Sequence, residues 1–143
     1  MSDFAKGIEA YAKRTKLGID QAIVSINTQA AVSIIKRTPV DTGRARGNWQ
    51  PSISIPNKTT TETNDKSGSA SIASARATAK VSAGAVFYLT NNLPYIRTLE
   101  HGWYNGNGPK TTPDGYSTQA PNGMVGLTVL EMRARIIKEW KAK

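Results

Sequence analysis

Apolar positions along the first third of the chain recur with a helical period. Phe4, Ile8 and Tyr11 lead into Ile19, Ile23, Ile26, Ala30 and Ile34, the last five at steps of four, three, four and four, which places them on one stripe of a helix. Ser2 or Asp3 can cap its start. Lys36 and Arg37 complement the negative end of the helix dipole, and Pro39 forces Thr38 out of helical geometry. The pattern predicts one long helix to about Arg37, loosened at Gly18, with Lys6, Lys13, Arg14 and Lys16 on its other face.

A crowded junction follows, TPVDTGRARGNW at 38–49. Asp41 can accept hydrogen bonds from the N–H groups of Gly43 and Arg44 and so cap a short helix over 42–48. Gly43 and Gly47 weaken so short a helix, which points to close approach of another backbone. Trp49, Ile53 and Ile55 then alternate with Gln50, Ser52 and Ser54, the period of a half-buried strand, and Pro51 makes it an edge strand. Residues 57–69 (NKTTTETNDKSGS) lack any large apolar side chain and predict a flexible loop projecting from the body.

Residues 71–81 predict a modest helix stopped by Gly84. The run 85–90 (AVFYLT) is apolar enough for a central strand. Pro94 suits the first turn of a helix to His101, and Gly102 its C-terminal cap. A second polar loop spans 103–119 and carries Trp103 and Tyr104. Met124, Leu127, Leu130, Ala134 and Ile137 give a last amphipathic helix. The class expected is α+β: a long N-terminal helix, a small, mainly antiparallel sheet, a C-terminal amphipathic helix and two long polar loops.

Composition narrows what such a fold can do. The 143 residues, 38% of them hydrophobic, suit one domain over 1–143. Nineteen Lys and Arg against ten Asp and Glu give a net charge of +9, which favours polyanionic partners. The absence of cysteine removes disulfide and thiolate chemistry and fits a reducing compartment. The N-terminus lacks the basic-then-apolar order of a secretory signal, and no apolar run approaches the roughly 20 residues that span a bilayer, so neither export nor a membrane is expected.

Catalytic chemistry is poorly supplied. His101 is the only histidine, its neighbour Glu100 points to a different helix face, and the carboxylates form no close pair to divide acid and base roles. Gly102, Gly106 and Gly108 lack the leading strand and closing Lys-Ser or Lys-Thr of a phosphate loop. No enzyme, cofactor or metal is expected. The basic residues of the terminal helices, Lys6 to Lys16 and Arg133 to Lys143, can contact phosphates, but acidic Asp3, Glu9, Glu131 and Glu139 interleave them. A small nucleic-acid-binding module and a plain solvated face both remain open. Arg44 and Arg46 oppose the dipole at the start of their short helix. Either Asp41 pairs with Arg44, or both arginines reach an outside partner.

Four blocks in order, TPVDTGRAR (38–46), YLTNNLPY (88–95), LEHGW (99–103) and QAPNGMV (119–125), resemble the neck or tail-completion proteins of long-tailed bacteriophages over nearly the whole chain. Ala45 replaces a larger apolar residue common in that family, and 104–117 resembles an insertion. The resemblance implies a non-enzymatic virion protein, made in the bacterial cytoplasm and placed at the head-tail junction. There a homo-oligomeric ring, hexameric by expectation, completes or terminates the tail and joins it to the head. Head-connector and tail-tube proteins are its implied partners, with non-specific contact to genomic DNA in the lumen. The residues assigned to interaction are Asp41, Thr42, Gly43, Arg44, Arg46, Trp49, Tyr95, Glu100, Trp103 and Tyr104.

Overall fold

The computed structural model describes residues 2–102, 104 and 108–141, with side chains as far as Lys138. Among them the elements run α1 (Asp3–Thr15), α2 (Ile19–Arg37), α3 (Arg44–Gly47), β1 (Gln50–Ile53), α4 (Ser69–Lys80), β2 (Phe87–Thr90), α5 (Ile96–His101) and α6 (Val125–Lys141). This is the expected α+β class.

The predicted long helix is two helices. Ser2 caps α1 by accepting a bond from the Ala5 N–H. Lys16 then turns into the left-handed region at φ 60°, and the Leu17 N–H closes the turn on the Ala12 carbonyl at 2.9 Å. The αL turn that glycine usually makes is made here by lysine, so no residue type announces the break. Gly18, extended, starts α2. Thr38 is extended as well and ends α2 ahead of Pro39, as expected.

The core joins Ala31, Ile34 and Ile35 of α2 to Trp49, Ala75 of α4, Ala120 and Met124, with Phe87 and Leu89 of β2 packed against them. Trp49 donates its ring N–H to the Thr38 hydroxyl at 2.7 Å, which satisfies the one polar atom of a buried indole. The buried positions are Met124, just before α6, and Thr128, Met132 and Ile136 on it, while Leu130 is 67% exposed and Ala134 is exposed too. The apolar count therefore chose the wrong stripe. It passed over Thr128, whose hydroxyl donates to the Met124 carbonyl and accepts from Arg37, both at 2.7 Å.

β1 and β2 pair antiparallel from Gln50↔Thr90 to Ile53↔Phe87 and form a two-stranded sheet, so β2 is not a central strand. The strand predicted to Ile55 ends two residues earlier, at Ile53. Ser54 takes φ 68°, and Ile55 beyond it is 72% exposed. α4 ends at Lys80, ahead of Gly84, and α5 begins at Ile96 rather than at Pro94. Gly102 closes α5 as read.

The largest departure is the polar segment 57–69, which lies against the body. Its backbone is gripped by side chains of the preceding junction. Buried Asn48 accepts from the Thr61 N–H at 2.8 Å and donates to the Thr61 carbonyl at 3.0 Å, replacing the pairing a strand would give. Asn92 donates to the carbonyls of Asn57 and Thr59. Asp65, 8% exposed, accepts from the N–H groups of Gly68 at 3.1 Å and Ser71 at 2.8 Å and so caps α4. A segment without apolar residues can dock when neighbouring side chains satisfy its backbone.

Burial pushes the Asp65 carboxyl up, but the N–H groups and hydroxyl around it outweigh burial and hold it below the ordinary aspartate range. A carboxylate lowered on folding adds stability above its unfolded pKa, and that stability disappears as pH falls through the folded value. Asp65→Asn should cost about 1–2 kcal/mol at neutral pH. It should also flatten the acid limb of a curve of urea midpoint against pH.

Candidate interaction site

The short helix α3 starts without the expected cap. Asp41 is exposed, and the hydroxyl of Thr42 accepts the Arg44 N–H at 3.2 Å instead. The residue at the cap position is Gly43, at φ 90°. Its backbone faces the docked segment closely: a Cβ at 43 would lie 2.5 Å from the Lys66 nitrogen and 2.7 Å from that of Asp65. Gly43 is thus a close-approach glycine, as its presence in so short a helix suggested.

The hydrogen bonds of both arginines run to groups of the same chain. Arg44 does not pair with Asp41; it reaches Glu62 at 3.2 Å and the Thr61 carbonyl at 3.4 Å. Arg46 donates to three carbonyls, those of Lys36 and Thr38 at 2.9 Å and of Lys66 at 2.8 Å. It closes the carbonyl end of α2, where a cation is favoured by the dipole, and ties segment 57–69 to it. Both side chains are committed inside the chain. Arg46→Gln should therefore lower stability by about 2–3 kcal/mol, the scale of charge-assisted bonds, and chemical denaturation should show it without any partner present. Trp49, 6% exposed, is a core residue and does not present its ring to a neighbour.

Glu100 is likewise turned inward. One carboxylate oxygen accepts the N–H groups of Met124 at 3.0 Å and Val125 at 2.7 Å, and the other accepts that of Gly126 at 2.9 Å. These are the unpaired donors at the positive end of α6, where a carboxylate fits both charge and geometry. Gly123, at φ 80°, makes room: a Cβ there would lie 2.5 Å from the Glu100 carbonyl oxygen.

Two more side chains fasten this region. Gln119 accepts from the Val40 N–H at 2.8 Å and donates to the Val40 carbonyl at 2.9 Å, and Asn91 donates to the Ala45 carbonyl at 2.9 Å. The stretches 38–46, 88–95, 99–102 and 119–126 are thereby bonded into one cluster. A side chain that bonds a remote backbone leaves no periodic signal: Gln119 carries none in the sequence, and Asn91 reads only as a turn residue.

Against this cluster lies an open cleft in two adjoining hollows of about 270 and 400 Å³. It is lined by residues 39–45, by Tyr95 and Leu99, and by Tyr104, Lys110, Tyr116 and Ser117. Within the described residues of the 104–117 loop, the Tyr104 N–H bonds the Gly115 carbonyl and the Thr112 N–H the Tyr116 carbonyl. Asp41 and Lys110 bring opposite charges to both hollows. Tyr95 and Tyr104 are 43% and 58% exposed. Of the ten residues assigned to interaction, Asp41, Thr42, Gly43, Arg44, Tyr95 and Tyr104 line this cleft. Trp103 lies outside the described residues.

His101 is exposed at the end of α5. Among the described residues no three His, Cys, Asp or Glu side chains are grouped to hold a metal ion, and no helix is long and apolar enough to cross a membrane. No family model, curated protein or solved structure matches the chain.

Proposed function

We propose that the chain is a structural subunit of the head-tail junction of a long-tailed phage, part of a homo-oligomeric ring that completes the tail and joins it to the head. One observation supports this reading above the others. The four blocks that resemble the neck and tail-completion proteins are separated by up to about 80 residues, yet they are bonded together beside one solvent-facing cleft. Several of their polar residues hold the joint, while Asp41 and Tyr95 are exposed, as is Tyr104 from the loop that follows the third block.

A closed ring needs heterologous contacts, in which one face of a subunit meets a different face of the next. The cleft supplies one such face: aromatic, half-exposed and carrying a charge of each sign. Association there is non-catalytic and uses surface that a monomer leaves open.

Complementation of a phage lacking the chain tests the proposal. Without the chain, DNA-filled heads and unjoined tails should accumulate, and wild-type chain supplied in trans should restore joined particles. Tyr95→Lys should keep the wild-type melting temperature to within about 2 °C, since an exposed side chain contributes little to stability, yet fail to restore joining. Normal particles formed without the chain would refute the proposal.

A further inference from the structure

Helix α6 is apolar on two sides. Thr128, Met132 and Ile136 are buried, with the backbone of α1 closing on Ile136 at Gly7. Leu127, Leu130, Ala134 and Ile137 lie about 180° around the same helix. There Leu130 is 67% exposed, Ala134 is exposed, and Leu127 and Ile137 are only half-buried. A helix apolar on both sides is normally covered on both, and steps of three, four and three form a seam for packing against another element. We infer that this outward stripe of one copy docks in the Tyr95–Tyr104 cleft of a second copy. The inference rests on the reading of the cleft as a subunit contact and not on any place in a virion.

The charges beside the stripe argue against its pairing with itself. Arg133 flanks one edge, and Glu131 and Lys138 flank the other. A parallel pair of α6 helices would set Arg133 of one copy beside Lys138 of the next, the flanking positions of a heptad seam. An antiparallel pair would set Arg133 beside Arg133 and Glu131 beside Glu131. Each arrangement opposes like charges, which disfavours association.

The cleft offers the complement. It is concave, and a helix is a rigid ridge that fits a groove through its apolar side chains. Tyr95, Leu99 and Tyr104 supply apolar and aromatic surface, and Asp41 and Lys110 supply one charge of each sign. Neither Asp41 nor Lys110 makes a hydrogen bond or ion pair through its side chain with another described residue, and the same holds for Arg133. Arg37 takes one carboxylate oxygen of Glu131 and leaves the other. A cation on one edge of the stripe and a carboxylate on the other thus answer the two charges of the cleft. Stripe and cleft are different surfaces of one subunit, so the contact is heterologous and repeats from copy to copy.

Sedimentation velocity of the purified full chain tests the pairing. Wild-type chain should associate beyond a dimer as its concentration approaches the millimolar range, where even weak interfaces form. Tyr95→Lys blocks the cleft and Leu130→Glu the stripe. Each variant alone should stay monomeric and keep the wild-type melting temperature to within about 2 °C, since both positions are exposed. Ala134→Glu, at a second exposed position of the stripe, should behave as Leu130→Glu does. Mixed in equal amounts, Tyr95→Lys and Leu130→Glu should form a 1:1 dimer and nothing larger, because one intact stripe and one intact cleft remain between them. A mixture that stays monomeric, or wild-type chain that does, would overturn the inference. So would self-association that survives Tyr95→Lys and is lost in Leu130→Glu, which would mean that α6 pairs with itself. If the mixture stays monomeric while wild-type chain restores joined particles, the pairing falls and the head-tail reading stands. A 1:1 dimer of a chain that the phage can assemble without gives the reverse.

Discussion

Gly43→Ala should destabilise the chain by at least about 3 kcal/mol, far more than a methyl group usually costs on a surface. Two effects add. Alanine at φ 90° carries the strain of a left-handed residue, of order 1–3 kcal/mol. Its Cβ would also press on the backbone of Asp65 and Lys66, and backbone cannot move aside as a flexible side chain does. Segment 57–69 would have to lift, releasing the bonds of Arg46 to Lys66 and of Asp65 to Gly68 and Ser71. Urea titration should show the loss, and hydrogen exchange should show Thr61, Gly68 and Ser71 deprotected first. A cost below about 1 kcal/mol would mean that the segment is not docked on α3.

Glu100→Ala should cost about 3 kcal/mol, because three N–H groups at the start of α6 lose a charged acceptor together. Glu100→Gln separates charge from geometry. The amide oxygen can keep the bonds to Met124 and Val125, while the NH₂ group faces the Gly126 N–H and cannot accept it. The Gln variant should therefore lose about 1 kcal/mol, a third of the Ala loss. Thermal unfolding of the two variants gives the ratio directly. Equal losses would assign the whole effect to charge and remove the directional cap.

Both results bear on what could be read from the chain. Helix α4, the end of α2 at Thr38, the pairing-competent strands and the C-terminal helix follow from periodicity and from Pro and Gly signals, since these are local effects. The break at Lys16 was hidden because lysine carries no turn signal. The buried stripe of α6 was misplaced because Thr128, polar by type, is satisfied by Arg37 and by its own helix.

The site was legible in position rather than in role. The junction 38–49 is as constrained as its crowding suggested: its glycines admit another backbone, as expected, and its polar side chains hold that remote polar segment, which the sequence does not show. Arg44, Arg46, Glu100 and Trp49 have chemistry that suits a partner, and each finds its partner within the chain. Such pairings span roughly ten to 25 residues, and no local pattern encodes them. Asp41, Tyr95 and Tyr104 were singled out beforehand and lie at the cleft, because aromatic and charged residues in loops stay exposed unless the fold has a use for them.

Cryo-electron microscopy of virions carrying the chain tests its proposed place most directly. A closed ring of this subunit should lie between the head connector and the tail tube, with the Tyr95–Tyr104 cleft occupied by the neighbouring copy. Density for the chain elsewhere in the particle, or its absence from purified virions, would contradict that account.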